Sequence, residues 1–121
     1  MTFGEYQELA RRTSNYKNVV ATLAPHFVKV DAALSMAALG LAGESGEVVD
    51  YLKKVIHHGH DLDRVKLAKE LGDVLWYVAE VSSTAGISLD EVASMNIEKL
   101  KSRYPDGFSS ERSQNRAAND E

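Results

Sequence analysis

DAALSMAALGLAGESGEVVDYLKKVIHHGHDLDRVKLAKELGDVLWYVAEVSS, Asp31 to Ser83, reads as two long helices and the turn between them. Leu34, Leu41, Val48, Leu52 and Val55 recur at helical spacing, which predicts a first helix from an N-cap at Asp31 to about His57. His58-Gly59-His60-Asp61-Leu62 breaks that pattern, and Gly59 suits the left-handed position that closes a helix. Asp63 then caps a second helix striped by Leu67, Leu71, Val74, Leu75, Val78 and Val81. Between Val74 and Ala79 this helix is apolar on nearly every side, so it needs cover from more than one direction.

Outward from this core, Thr2 and Glu5 form a capping box for a short helix from Phe3 to about Arg12. The stretch from Thr13 to Val30, interrupted by Pro25, reads as a connection or weak helix. Ala85-Gly86-Ile87 stops the second long helix, and Ser88-Leu89-Asp90-Glu91 opens a last one that ends before Pro105. Ser109 to Glu121 has no apolar residue larger than alanine and reads as a disordered tail behind a domain over residues 1–108. The fold class is therefore all-α: a helical bundle built on a long antiparallel hairpin. So short a chain has little with which to cover Val74–Ala79, so completion by homo-oligomerisation is expected, with burial by the N-terminal segment as the alternative.

Composition narrows the function. The 121 residues suit one domain, and 18 acids against 14 bases disfavour a general nucleic-acid binder. The absence of cysteine removes disulfides, thiolate metal sites and thiol nucleophiles. The start lacks the basic and apolar runs of a signal peptide, and Ala32–Ala42 is too short and too weakly apolar to span a bilayer. A cytoplasmic protein without membrane contact is the expectation.

Charge concentrates between Glu44 and Glu80, with eight acids against five bases. Glu44 and Glu47 lie three apart on the first long helix, Glu70 and Asp73 three apart on the second, so each pair shares a helix face. Counted from the turn near His60, the pairs come level to within about one helical turn. Two like charges 5 Å apart repel by roughly 3 kcal/mol at an effective dielectric near 20. Either raised pKa values or a cation must relieve this, and an all-oxygen donor set suits Mg²⁺, with Mn²⁺ as substitute. Solvated helix faces, with Lys66 beside Glu70, are the plainer reading. Apolar neighbours (Leu39-Gly40-Leu41 and Val74-Leu75-Trp76) count against it. Gly40, Gly43 and Gly46 beside the first pair mark either close helix approach or space for a ligand, at a helix cost of about 1 kcal/mol each.

The blocks Leu41-Ala42-Gly43-Glu44-Ser45-Gly46-Glu47-Val48, Lys53-Lys54, Lys69-Glu70-Leu71-Gly72-Asp73-Val74-Leu75-Trp76-Tyr77 and Asn96-x-x-Lys99-Leu100-x-x-Arg103-Tyr104-Pro105-x-Gly107-Phe108 stand in this order. Together they resemble the MazG-like nucleotide pyrophosphohydrolases, from about Ala32 to Phe108. The resemblance implies an all-α dimer or tetramer that cleaves nucleoside triphosphates to monophosphate and pyrophosphate with Mg²⁺. It implies Glu44, Glu47, Glu70 and Asp73 as metal ligands, with Glu44 or Glu47 also orienting or deprotonating the attacking water. Asn96, Lys99 and Arg103, on one face of the last helix, become candidates for phosphate and sugar contacts, and Lys54 or Lys53 for phosphate. Trp76 and Tyr77 read as core rather than base-stacking residues. His57, His58 and His60 read as an exposed turn, and Asp73 stands where a di-iron E-x-x-H motif needs histidine. The rival readings are a phosphoribosyl-ATP pyrophosphatase and a non-catalytic helical module that binds nucleotide or a partner.

Overall fold

A computed structural model of the chain describes residues 1–14 and 29–115, all of whose regular structure is helical. Helix α1 covers Phe3–Arg11, α2 Lys29–His58, α3 Arg64–Ala85, α4 Leu89–Arg103 and α5 Ser110–Gln114. Two compact units divide the chain, Met1–Leu89 and Asp90–Glu121. Among the described residues no helix is long and apolar enough to cross a membrane.

Local chemistry sets most of the helix ends in the first unit. The Thr2 side chain accepts from the Glu5 amide at 3.1 Å while the Thr2 amide donates to Glu5 Oε2 at 2.6 Å, the reciprocal box expected for α1. Gly59 sits at φ +71° just past α2. Asp63 Oδ1 accepts from the Val65 and Lys66 amides and so opens α3. At the other end Gly86, at φ +73°, donates to the Ser83 carbonyl and Ile87 to that of Ser82, the paired bonds of a Schellman turn. One boundary differs. Helix α2 already includes Lys29, so Asp31 lies within it and is not its N-cap. A cap is worth only about 1 kcal/mol, and neither Lys29 nor Val30 stops a helix from extending past it. Most of the expected connection from Thr13 to Val30 lies outside the described residues.

Helices α2 and α3 face each other, and their contacts run in opposite order along the two. Gly40 meets Tyr77, Glu44 meets Glu70 and Asp73, and Tyr51 meets Lys66 and Asp63. Tyr51, 6% exposed, ties down the turn. Its hydroxyl accepts from the Asp63 amide at 2.8 Å and donates to the Asp63 carbonyl at 3.2 Å, with the Lys66 ammonium 4.9 Å above the ring. At the far end a Cβ on Gly40 would lie 2.0 Å from Tyr77 Cε1, so close approach is the reason for glycine there. Among the residues of α2 whose burial is described, the buried apolar ones besides Tyr51 are Ala32, Ala33 and Ala37, small side chains that allow the same approach.

Helix α1 packs on α3 and covers part of its apolar middle. The Trp76 indole N–H donates to Thr13 Oγ1 at 2.8 Å, and Ser14 Oγ donates to the buried Glu80 carboxylate at 3.0 Å. Gln7 binds three ways: Nε2 donates to Ser83 Oγ and the Ile87 carbonyl, and Oε1 accepts from the Leu89 amide at 2.8 Å. Ala79 is fully enclosed, whereas Val74, Leu75, Trp76, Tyr77 and Val78 are half-buried. Cover by the N-terminal segment is thus present within one chain.

In the second unit α4 carries Asp90 and Glu91 in its first turn and Lys101 and Arg103 in its last, matching the helix dipole at both ends. It ends before Pro105, and the Tyr104 and Phe108 rings then meet at a tilt of 43°, centroids 5.4 Å apart, across Gly107, whose φ is +92°. Ser109 caps α5 by accepting from the Arg112 amide. This short helix occupies part of the stretch that composition marks as a tail.

Candidate functional site

Three of the four expected acids come together. Glu44 on α2 and Glu70 and Asp73 on α3 each offer a carboxylate oxygen within 4.8 Å of the other two. Glu70 and Asp73 share a face because they are three apart, and Glu44 joins them because α2 and α3 close tightly one turn away, at Gly40 and Tyr77. Glu44 and Glu70 are half-buried and Asp73 is exposed, so the trio opens to solvent on one side. Glu47, the fourth acid, is exposed and stands one turn along α2, outside this group.

The trio fits a hard divalent cation. Adjacent ligands of an octahedral ion with bonds of 2.0–2.1 Å lie about 2.9 Å apart and opposite ones about 4.2 Å, so holding an ion would draw these oxygens together by side-chain rotation. Among the described residues this is the one such gathering of acids and histidines; His57, His58 and His60 are exposed and outside it.

Two neighbours escape sequence reasoning. The phenol of Tyr6, on α1, is pushed above its ordinary value, first by burial and second by the negative charge of Asp73. Tyr6 therefore lies within electrostatic reach of Asp73. Asp50, the next acid along α2 after Glu47, takes Lys53 on one carboxylate oxygen at 2.5 Å and Lys54 on the other at 2.6 Å. Helical spacing was the available signal for Asp50, since acids at positions 44, 47 and 50 form one ladder with lysines three and four residues beyond its last member. No such signal exists for Tyr6, which depends on how α1 lies against α3.

These hydrogen bonds hold the Asp50 carboxyl down at about 2, and they raise Lys54 through the Asp50 bond and charge, with a smaller push from Glu47. The shifts agree in direction, and the pairs are solvent-exposed, so they order side chains more than they stabilise the fold. The sign follows from the lowered carboxyl. The pairs are intact above the ordinary value of 3.8 and are lost as pH falls through about 2. A carboxyl-carbon NMR titration is expected to place Asp50 at about 2, and to return it toward 3.8 when Lys53 and Lys54 are both changed to Met.

Asn96, Lys99 and Arg103 occupy one face of α4, with Asn96 and Lys99 exposed and Arg103 half-buried. Trp76 and Tyr77 meet edge to face, with centroids 4.9 Å apart, and Tyr77 also packs on Gly40.

Facing helices that gather three carboxylates define an all-α protein with an acid cluster that could hold a cation. The chain belongs to the MazG nucleotide pyrophosphohydrolase domain family, whose model matches residues 33–108, a span that includes all three acids and the Asn96–Arg103 face. It is also similar to the Gene 37 protein of Mycobacterium phage L5, at 37% identity over 61% of this chain and 68% of the relative. No solved structure matches.

Proposed function

We propose that this chain is a Mg²⁺-dependent nucleoside triphosphate pyrophosphohydrolase, converting (d)NTP and water to (d)NMP and pyrophosphate in nucleotide pool sanitation or balance. The observation that carries this reading is the approach of Glu44, Glu70 and Asp73 to within 4.8 Å inside a MazG family match. In this reading Glu44, Glu70, Asp73 and Glu47 hold the metal, Mg²⁺ or Mn²⁺. When bound, the ion supplies neutralisation of the phosphate oxygens and a lowered pKa for the attacking water. Glu44 or Glu47 orients that water and takes its proton. Lys54, Asn96, Lys99 and Arg103 bind the triphosphate and sugar, where fixed positive charge stabilises the departing pyrophosphate. The antiparallel α2–α3 hairpin is the frame, and a second copy or a tetramer completes the bundle over Leu39, Val49, Ile56 and Val65, large apolar side chains exposed in the single chain.

The direct test is a panel of nucleoside triphosphates in ¹⁸O water, with and without Mg²⁺. Stoichiometric monophosphate and pyrophosphate are expected, Mg²⁺-dependent, with the label on the monophosphate. Label in orthophosphate would place attack at the terminal phosphorus and overturn the reaction assigned. Turnover confined to phosphoribosyl-ATP would select the rival activity, and no turnover with retained nucleotide binding would select the non-catalytic module.

Mg²⁺ is also expected to raise the melting temperature. A ligand that binds only the folded state at 100 times its Kd adds about 2.7 kcal/mol. Calorimetric melting with 0 to millimolar Mg²⁺ checks this; an unmoved transition, with and without nucleotide, would remove the metal from the proposal.

A further inference from the structure

We propose that Asp50 is a positioning residue for the substrate's phosphates, holding the ammonium groups of Lys54 and Lys53 on the Glu47 side of α2 where a polyphosphate anchored at the acid trio meets them. This rests on the reading of the trio as the metal and phosphate site. Asp50 divides its carboxylate between the two lysines, one per oxygen, at 2.5 and 2.6 Å. A helical side chain leans toward the N-terminus of its helix, so lysines three and four residues on fall naturally to the level of Asp50. That level is about 4.5 Å along the axis from Glu47 and about 9 Å from Glu44.

The angular positions matter as much. At 100° per residue Lys54 projects within about 20° of Glu47 and about 80° of Glu44, whereas Lys53 points nearly opposite Glu44. Asp50 lies between the two lysines. Its pairs therefore draw both ammonium groups toward the direction of Asp50, about 60° round the helix from Glu47, with Lys54, which also feels the charge of Glu47, the nearer of the two to it. Left alone, two exposed lysines would sample many rotamers. Ordering one such side chain costs about two- to tenfold in affinity, and a residue that orders it before substrate arrives removes that cost from binding. Asp50 is half-buried, and the contacts it makes are with two exposed lysines of its own helix, so its role in folding is small.

Two effects of Asp50 on substrate oppose each other. Its charge repels phosphate, while its hydrogen bonds preset the lysines that attract it. Asp50→Asn removes both effects at once, so the direction in which KM moves tells which of them is the larger. Asp50→Asn is expected to raise KM about three- to tenfold while changing kcat less than twofold, and Asp50→Glu to restore most of the loss. In a Lys54→Met background, Asp50→Asn is expected to have little further effect, because the residue it positions is gone. The wild type and these four variants are titrated calorimetrically with inorganic triphosphate and Mg²⁺, a readout that does not need turnover.

The outcomes separate cleanly. A lower KM for Asp50→Asn would make Asp50 a competing anion and overturn the proposal. So would an unchanged KM, or an equal change in the Lys54→Met background. A wild-type chain that binds inorganic triphosphate through Asp50 and Lys54 but releases no pyrophosphate would defeat the hydrolase reading alone. A wild-type chain that turns over nucleotide with Asp50→Asn indistinguishable from it would defeat this inference alone.

Discussion

Asp73→Asn is expected to lower pyrophosphate release by more than about 100-fold, and Glu70→Gln and Glu44→Gln to do the same, with helical circular dichroism unchanged. Losing a partner in the shell around metal ligands typically costs 10–100-fold, so losing a ligand itself costs more. The substitutions are isosteric, and each removes one of three charges whose oxygens lie within 4.8 Å. Without metal, these variants lose mutual repulsion and are expected to melt at or slightly above the wild-type temperature. With Mg²⁺ the order reverses, because the wild type gains binding energy that the variants forgo. A general structural defect would lower the melting temperature in both conditions, so the crossing of the two series separates metal binding from packing. Wild-type turnover in Asp73→Asn would remove the trio from the chemistry. Glu47→Gln supplies the contrast. Loss of turnover with the Mg²⁺-induced shift retained assigns Glu47 to the water, and loss of both assigns it to the metal.

What was legible in the sequence is what local chemistry controls. Thr2 with Glu5, Asp63, Gly59 and Gly86 act within a few residues of themselves, and each stands where its chemistry predicts. The acid trio was legible for a related reason. Two pairs at i, i+3 and a short turn place carboxylates level across neighbouring helices before any tertiary contact is known. Asp31 failed because a favourable cap does not end a helix when the residues before it also accept helical geometry. The rest depends on how α1 meets α3. Gln7 bonds to residues 76, 80 and 82 positions away, and Tyr6 gains its surroundings from the same contact. Neither leaves a periodic trace, since a side chain that bonds across the fold is specified by the partner helix and not by its own neighbours. The three glycines beside Glu44 were legible as unusual but not as different from one another; only the facing helix distinguishes them.

That distinction makes a sharp prediction. Gly40→Ala is expected to destabilise the fold by about 1–2 kcal/mol, whereas Gly43→Ala and Gly46→Ala are expected to stabilise it by up to about 1 kcal/mol each. All three glycines sit inside α2, so alanine gives the same gain in helix propensity at every one. A Cβ at position 43 or 46 meets nothing within 4 Å, and the gain stands alone. At position 40 it would lie 2.0, 2.3 and 2.6 Å from Cε1, Cζ and Cδ1 of Tyr77. The ring cannot simply swing clear, because it meets Trp76 edge to face and the Trp76 N–H is held by Thr13. Overpacking of this kind costs about 1–3 kcal/mol, more than the propensity gain. For a chain of this size a net loss of that order lowers Tm by about 4–8 °C. The effect reaches the site as well. Gly40 is one turn from Glu44 and Tyr77 one turn from Asp73, so helices forced apart at this contact carry the carboxylates apart with them. Gly40→Ala is therefore expected to weaken the Mg²⁺-induced rise in Tm. Adding Tyr77→Ala, which removes the ring that the new methyl strikes, is expected to cancel most of the destabilisation specific to Gly40→Ala in a double-mutant cycle. If Gly40→Ala melts with Gly43→Ala at or above the wild type, α2 and α3 do not approach closely there, and the convergence of Glu44 with Glu70 and Asp73 loses its support.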